Sequence, residues 1–310
     1  MKRLRVKLQM GQYLLICLFA VPSLAQPSTD PGGPSGFREW RTHREQSLRS
    51  ETGYLALAGL YWLKDGRQSF GSAPENDVVF PVGRAPDLAG HFVVKNHGVT
   101  VVCAPDVSLK VSGKRISSLN MVSDSKGTPT RIQLGELTFW LIDRSGRLGI
   151  RLRDPESPIL RNYKGTRSFP YAAKWRVRAR FEPLASPQPI SIPNILGTES
   201  EIQAEGRLTF SIDGKPYSLY PTSANDKQFS LIFGDKTSGI ETYGGGRFLT
   251  VLRPTEGDVI TIDFNRAYNP PCAYSPFTTC PMAPRQNILP IRIEAGELTE
   301  GIHHRGGGRR

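Results

Sequence analysis

Short apolar runs separated by turn residues recur along most of the chain. From residue 51 onwards, runs of Val, Ile, Leu, Thr and Phe show almost no helical periodicity. The turn sequences that break them lie at residues 64–66, 96–98, 111–114, 143–146, 213–214 and 255–258. Short strands with turns between them are typical of sandwiches and barrels. We therefore predict an all-β protein with two β-sandwich or barrel-like domains.

One segment near the N-terminus has a different pattern. Between Phe37 and Ser50, the side chains of Phe37, Trp40 and Leu48 fall near one face among charged residues, which predicts a short amphipathic helix. A boundary near residues 153–158 divides the chain into domains 37–158 and 159–300. The Pro-rich residues 183–193 are an alternative boundary, and residues 175–181 are predicted to form a strand.

The first 25 residues have the pattern of a cleavable secretory signal peptide. Four cations precede an apolar run, and Ser23 and Ala25 provide small residues for cleavage after Ala25. The run is shorter than the roughly 20 apolar residues that a membrane-spanning helix needs, so we predict no transmembrane segment in the mature chain. Residues 26–36 are expected to form a disordered leader, and residues 301–310 a disordered basic tail. We therefore expect an exported protein, either periplasmic or secreted.

Charge gives little support for a nucleic-acid partner. The formal net charge of +12 falls to +8 once the four cations of the signal peptide are removed, and part of the remainder lies in the tail. We expect no specific nucleic-acid binding.

The mature chain keeps three cysteines: Cys103, Cys272 and Cys280. Cys272 and Cys280 lie in one Pro-rich loop, where an oxidising compartment would allow a disulfide between them. Free thiols are the second interpretation. A metal site is the third, because seven intervening residues do not match the usual ligand spacing and no histidine lies nearby. We therefore predict no metal and no cofactor.

Three segments of the first half resemble a forkhead-associated (FHA) β-sandwich. They are residues 69–80, 90–94 and 109–114. That family grips phosphothreonine with an arginine, a serine and an asparagine, but Ser72, Leu88 and Ser112 stand at the corresponding positions here. Without the arginine, the charge-assisted grip on phosphate is missing. The resemblance thus implies an FHA-like fold without phosphopeptide binding, and His91 is expected to be a structural histidine.

Longer motifs resemble a family of unknown function, DUF1684. They are residues 58–63, 234–249, 262–277 and 287–297, and the resemblance extends over about residues 40–297. The family's description includes no activity. The resemblance therefore implies no substrate, and the candidate site must come from the residues themselves.

Polar residues of the second half are predicted to meet at one strand end. Within residues 259–265, Ile260, Ile262 and Phe264 alternate with polar residues, so a strand there has one buried and one polar face. Strands at 228–233, 240–243 and 247–252, with a turn at 234–239 and a glycine bend at 244–246, are predicted as adjacent hairpins. The hypothetical ligand-binding residues are Asp235, Thr237, Ser238, Tyr243, Arg247, Asp263, Asn265 and Tyr268.

A structural role for the same residues remains open, because Asp, Thr and Ser in turns often bond only to their own backbone. In that case Arg247 or Arg266 would simply pair with Asp263 or Glu241.

The favoured function is binding of a small polar or carbohydrate-like ligand, or of a cell-envelope component. One alternative is a hydrolase using a carboxylate pair, either Asp235 with Asp263 or Asp235 with Glu241. Another is a structural or partner-docking envelope protein. Whether the protein is an enzyme stays open, although the chain has no Gly-x-Ser-x-Gly elbow and its glycine run lacks the ending of a phosphate loop.

Overall fold

The computed structural model describes residues 33–254, 257 and 259–299. The predicted signal peptide, most of the predicted leader, the tail and most of the turn at 255–258 lie outside these residues. The strands of the first half are β1 (Leu57–Trp62), β2 (Gly66–Gly71), β3 (Val78–Val79), β4 (Gly90–Lys95), β5 (Gly98–Cys103), β6 (Leu109–Val111), β7 (Lys114–Ile116), β8 (Ser118–Met121), β9 (Ile132–Leu134), β10 (Leu137–Arg144) and β11 (Arg147–Arg153). Those of the second half are β12 (Arg176–Pro193), β13 (Glu199–Ile212), β14 (Lys215–Leu219), β15 (Ser223–Ala224), β16 (Gln228–Phe233), β17 (Arg247–Leu252) and β18 (Val259–Asp263). The predicted all-β class is confirmed.

Helices are few among the described residues. The α-helices are α1 (Pro34–Arg49) and α2 (Pro158–Asn162), and single 3₁₀ turns lie at Tyr54–Ala56, Asp124–Lys126, Ala173–Trp175, Phe264–Arg266, Pro271–Ala273 and Arg285–Asn287. The predicted amphipathic helix is thus present as α1, which begins three residues earlier than expected. In the described part of the chain, no helix combines the length and the apolar character needed to cross a bilayer.

The first half is a β-sandwich. One sheet has the strand order β1-β11-β10-β9-β6-β7, and the other has the order β3-β2-β4-β5-β8. Phe70 and Phe92 of the second sheet stack with ring centroids 4.4 Å apart, and Phe139 of the first sheet meets both rings edge-on. Aromatic pairs in these geometries add stability beyond the area that they bury. The FHA-like character of this sandwich stays a prediction.

Four of the predicted turns are two-residue hairpin connections. The central residues are Asn96-His97, Ser112-Gly113, Ser145-Gly146 and Asp213-Gly214, and every one of them has a positive φ. Positive φ at both central positions matches the right-handed twist of the flanking strands, which explains the preference for Gly, Asn and Asp there. Turn chemistry therefore sets the register of these hairpins.

The second half is built from two further sheets around a common core. Their strand orders are β14-β13-β12-β18 and β15-β16-β17. Phe181 on β12 stacks on Phe229 on β16, with ring centroids 5.1 Å apart. Phe264, which follows β18, meets Phe233 on β16 edge-on at 5.3 Å. These contacts close the core between the two sheets.

The Pro-rich residues 183–193 belong to the long strand β12 and pair with β13. On its other side β12 pairs with β18 only between Arg176 and Arg180, so the proline-containing part of the strand is an edge. Proline is tolerated there because an edge strand needs no N–H on its open side, and a register shift between Pro183 and Gln188 relieves the ladder further.

Helix α1 packs largely on the second half of the chain. Its Phe37 ring lies 5.6 Å from that of Tyr171, and Leu48 packs with Leu55, Ala273 and Tyr274. The predicted domain ranges 37–158 and 159–300 stay predictions. They place helix α1 in the first domain, and in the structure this helix contacts residues of both halves.

Candidate functional site

Asp235 and Arg247 form a buried ion pair between the end of β16 and the start of β17. Their side chains are 0% and 1% exposed, and Asp235 Oδ2 lies 2.6 Å from Arg247 Nη2. Thr237 donates its backbone N–H and its hydroxyl to Asp235 Oδ1, at 2.6 and 2.5 Å. Arg247 also donates to the carbonyl oxygens of Ala295 and, at 3.1 Å, of Ile293. The pair is thus closed by protein groups.

These contacts fix the C-terminal segment on the β16–β17 hairpin. Burial lowers the pKa of the Arg247 guanidinium, and the carboxylate of Asp235 opposes that effect. The carboxylate also accepts the N–H of Ile293 at 3.3 Å. A charge this deep persists only when it is paired and hydrogen-bonded. The geometry of the pair is that of a structural clamp, while the ligand-binding role stays a prediction.

The return strand predicted over residues 240–243 is wrong. Strand β16 pairs directly with β17, and residues 234–246 form a loop between them. The loop curls because the carbonyl of Thr237 accepts the N–H groups of Ile240, Glu241 and Thr242. Within the glycine bend, Gly246 has a φ of +93°, and a Cβ there would lie 2.7 Å from the carbonyl oxygen of Phe233. This glycine therefore permits close packing of protein on protein.

Asp263 and Asn265 lie in a separate cluster, because β18 pairs with β12 instead of joining the β16–β17 hairpin. Asp263 Oδ1 accepts the backbone N–H and the side-chain amide of Asn265, at 3.1 and 2.8 Å. The Asn265 amide exchanges two further bonds of 3.0 Å with the backbone of Ala172. The residue is 1% exposed, not on an open polar face as predicted.

Hydrogen bonding does not bring the proposed carboxylate pairs together. In the described part of the chain, Asp235 and Asp263 share no hydrogen-bond partner, and Glu241 pairs with Arg292. The alternation predicted for β18 does hold, since Ile260, Ile262 and Phe264 are all buried.

Of the other three predicted residues, Ser238 joins the Asp235–Arg247 pair, whereas Tyr268 and Tyr243 lie elsewhere. Ser238 Oγ accepts the N–H of Asp235 at 3.1 Å. The Tyr268 ring meets Phe248 edge-on, and the guanidinium of Arg44 lies over it at 4.8 Å. Tyr243 lies beside the cysteine loop, and burial raises its pKa. The structure therefore brings together Asp235, Thr237, Ser238 and Arg247, and it places the remaining four elsewhere.

A second buried carboxylate, Glu297, was not among the residues predicted for the site. It is 2% exposed and accepts from Arg44 Nε at 3.0 Å, from Asn269 N at 2.7 Å and from the Tyr274 hydroxyl at 2.7 Å. Burial acts to lower the pKa of the Arg44 guanidinium. The adjacent Glu297 carboxylate acts to raise it, and the net result is a raised pKa. This network ties α1 to the end of the described chain.

An open cleft lies on the outer face of the six-stranded sheet. Its volume is about 720 Å³, within the range of small-molecule sites. Two arginines, Arg131 and Arg153, line it and lie over the Trp140 ring at 4.9 and 5.0 Å from its centroid. We call it the Trp140 cleft, because this ring lies against both arginines of the lining. The remaining lining residues are Glu51, Thr52, Val111, Ser112, Thr128, Pro129, Thr130, Gln133, Glu136, Thr138 and Pro155.

The two arginines of this cleft are incompletely partnered. Within the described residues, neither guanidinium lies within 4 Å of a carboxylate oxygen. Glu136 lines the same cleft, but its carboxylate is paired with Arg84 instead. Arg153 donates to the carbonyl of Thr52 at 2.6 Å, but its buried Nε has no partner. Burial, and then repulsion from Arg131, lowers the pKa of Arg153 to about 10. An anion bound beside Arg131 and Arg153 would favour their charged forms, and it would thereby oppose both the effect of burial and the repulsion between the two arginines.

The sequence carries a signal for this cleft in the alternation of three strands. The outward residues Gln133, Thr138 and Arg153 lie in one cross-strand row, while Phe139 and Leu152 point into the core. The alternation within each strand is enough to predict a polar face. It does not predict which polar residues of different strands lie side by side, because that depends on strand pairing.

Comparison with known proteins places the chain in a family. The model of a protein family of unknown function, DUF1684, matches residues 161–298. The chain belongs to the DUF1684 family. No curated protein matches it. A solution NMR structure of an uncharacterized protein from gene locus rrnAC0354 of Haloarcula marismortui is 31% identical, over 48% of this chain and 85% of that chain, with a TM-score of 0.39.

The DUF1684 match spans β12 to β18 and the C-terminal segment. It therefore includes the Asp235–Arg247 pair, Glu297 and the two cysteines of the Pro-rich loop. The Trp140 cleft lies before the residues matched to DUF1684, in the β-sandwich.

Proposed function

We propose that this DUF1684 protein is exported and binds a small anionic, carbohydrate-like ligand in the Trp140 cleft. The observation that carries the proposal is the convergence of Arg131 and Arg153 over Trp140 without a carboxylate partner among the described residues. Guanidinium groups bind carboxylate and phosphate through paired, charge-assisted hydrogen bonds.

The lining of the cleft supports a polyhydroxyl ligand. Thr128, Thr130, Thr138 and Gln133 provide hydroxyl and amide groups that both donate and accept hydrogen bonds. Glu51 adds an acceptor for sugar hydroxyls at the same cleft. A ligand with one anionic group and several hydroxyl groups satisfies this combination better than an apolar compound or a simple polyanion.

Export is supported by the sequence pattern of residues 1–25. An exported protein meets the polar and acidic saccharides of the cell envelope, which agrees with a ligand of this class.

The cleft predicts selective binding of an acidic sugar. We expect D-glucuronate to raise the melting temperature and to give a measurable Kd by calorimetry, while D-glucose at the same concentration does neither. Arg153→Met and Arg131→Met should each weaken glucuronate binding by about 10- to 100-fold, because each removes a charge-assisted hydrogen bond.

Arg147→Met is the matched control. Arg147 lies over the Trp62 ring at 4.2 Å on the same sheet but does not line the cleft. Its replacement should leave glucuronate affinity unchanged. Equal binding of glucose and glucuronate, or unchanged affinity in the Arg131→Met and Arg153→Met variants, would exclude this site.

A further inference from the structure

The Pro-rich loop between Pro270 and Pro284 brings two thiols together in the interior. Cys272 and Cys280 are 1% and 6% exposed. The backbone N–H of Cys272 lies 3.1 Å from Cys280 Sγ, and the N–H of Cys280 lies 3.1 Å from Cys272 Sγ. This reciprocal arrangement turns the two side chains toward each other across the loop, and both are free thiols in this structure.

The surroundings of the two sulfurs differ. Cys272 Sγ accepts from the N–H of Cys280 and from the hydroxyl of Thr278, at 3.1 and 2.9 Å. A hydrogen bond from the Cys280 thiol lowers the pKa of Cys272 to about 7 against the effect of burial, with smaller contributions from Thr278, the Cys280 backbone and Arg151. The same thiol–thiol bond, together with burial, raises the pKa of Cys280. Cys272 Sγ thus accepts two close hydrogen bonds where Cys280 Sγ accepts one from a backbone N–H, so Cys272 is the sulfur better placed to carry a negative charge.

A cation from the other half of the chain interacts with this pair of thiols. Arg151 on β11 is largely buried, and its Nε has no partner among the described residues. Its Nη2 lies 3.3 Å from the hydroxyl of Thr279 in the cysteine loop. Tyr243 also interacts with both sulfurs, and burial raises the pKa of its hydroxyl, so it stays neutral at pH 7. The local field thus favours an anionic sulfur.

The same loop docks the two halves of the protein on each other. Thr279 Oγ1 accepts from Arg144 Nε at 2.9 Å, and Phe277 packs with Trp140 and Ile142. Backbone hydrogen bonds anchor the loop on both sides of residues 276–279: the N–H of Ser275 bonds to the carbonyl of Pro271, and the N–H of Ile195 bonds to the carbonyl of Cys280. Residues 276–279 make none of the described backbone–backbone hydrogen bonds. Such a segment opens locally more readily than a sheet does, which gives a reagent access to the buried sulfurs.

We propose that Cys272 and Cys280 form a redox-active dithiol that reacts with disulfide compounds and then closes as an intramolecular bridge. The Cys272 thiolate attacks one sulfur of the reagent, so that a mixed disulfide forms and one reagent thiolate leaves. The Cys280 thiol then loses its proton to the departed thiolate or to water and attacks Cys272 Sγ. This expels the second reagent thiol. Two protein thiols are oxidised to a disulfide, and the reagent disulfide is reduced to two thiols.

The proposal is distinct from ligand binding in the Trp140 cleft and predicts an order of reactivity. In the reduced full chain at pH 7, substoichiometric iodoacetamide should label Cys272 at least 10-fold faster than Cys280, as measured by peptide mass mapping. With oxidised glutathione, Cys272 and Cys280 should lose reactivity together and appear as one bridged peptide pair.

Two variants isolate the steps, and a third is the control. Cys280→Ser should accumulate a glutathione adduct on Cys272, whereas Cys272→Ser should form at least 10-fold less adduct on Cys280. Cys103→Ser should bridge as the wild type does, because Cys103 lies outside the loop and donates to the carbonyl of Val107. Faster labelling of Cys280 in the wild type, or no bridge while the folded protein is exposed to oxidised glutathione, overturns the proposal.

Discussion

Replacing Asp235 with alanine is expected to lower the free energy of unfolding by about 3–5 kcal/mol, the typical cost of removing one partner of a buried ion pair. The variant leaves the Arg247 guanidinium, which is 1% exposed, without its carboxylate. It also removes the acceptor of the Thr237 hydroxyl and of the Ile293 N–H. Urea denaturation followed by circular dichroism measures the loss. For a protein of ordinary stability, such a loss is a large part of the total.

Arg247→Met should have an effect of similar size, because it leaves the Asp235 carboxylate buried without its cation. The double variant Asp235→Ala/Arg247→Met should lose less than the sum of the single losses, since neither charge is then left alone. Arg247→Lys should fall between the wild type and Arg247→Met, because it keeps a charge but not the planar fork.

An exposed ion pair offers the control. Arg207 and Glu182 are also paired across neighbouring strands, but their side chains are 42% and 48% exposed. Arg207→Met should therefore change stability by less than about 1 kcal/mol. A loss below 1 kcal/mol for both Asp235→Ala and Arg247→Met would show that the buried pair does not clamp the fold.

The strands were largely predictable because their signals are local. The alternation of Ile260, Ile262 and Phe264 defines the buried face of β18, and turn residues such as Asp213-Gly214 define hairpins within a few positions. Strand partners were not predictable in the same way. The local pattern after β16 was compatible with a tight turn and an immediate return strand, or with a longer loop. The loop forms because the carbonyl of Thr237 accepts three backbone N–H groups, which curls residues 237–242 and keeps them out of the sheet.

The candidate site was harder to predict because polar residue type does not reveal exposure. Asp235, Arg247 and Asn265 have the composition of a ligand site, yet all three are buried and satisfied by protein groups. In contrast, Arg131 and Arg153 are unremarkable in sequence. They meet only because β9, β10 and β11 are neighbours in one sheet, which puts both guanidinium groups over Trp140.

Replacing Glu297 with alanine is expected to lower the free energy of unfolding by about 3 kcal/mol and to release helix α1. This is the lower end of the cost for a buried pair, because Arg44 keeps its 2.9 Å bond to the carbonyl of Asn269. The Tyr274 hydroxyl and the Asn269 N–H would lose their acceptor. Glu297→Gln should cost less, since its amide oxygen still accepts one of these bonds.

Limited trypsin digestion separates release of the helix from general instability. Helix α1 contains Arg38, Arg41 and Arg44, and its undocking should let the helix unwind, so that trypsin can cleave after these residues while the rest of the fold, read by circular dichroism, remains. Glu39→Gln makes the same chemical change as Glu297→Gln at an exposed position of the helix and should not alter the digestion rate. If Glu297→Ala leaves cleavage within α1 as slow as in the wild type, then apolar contacts such as that of Leu48 with Tyr274 hold the helix, and the carboxylate does not.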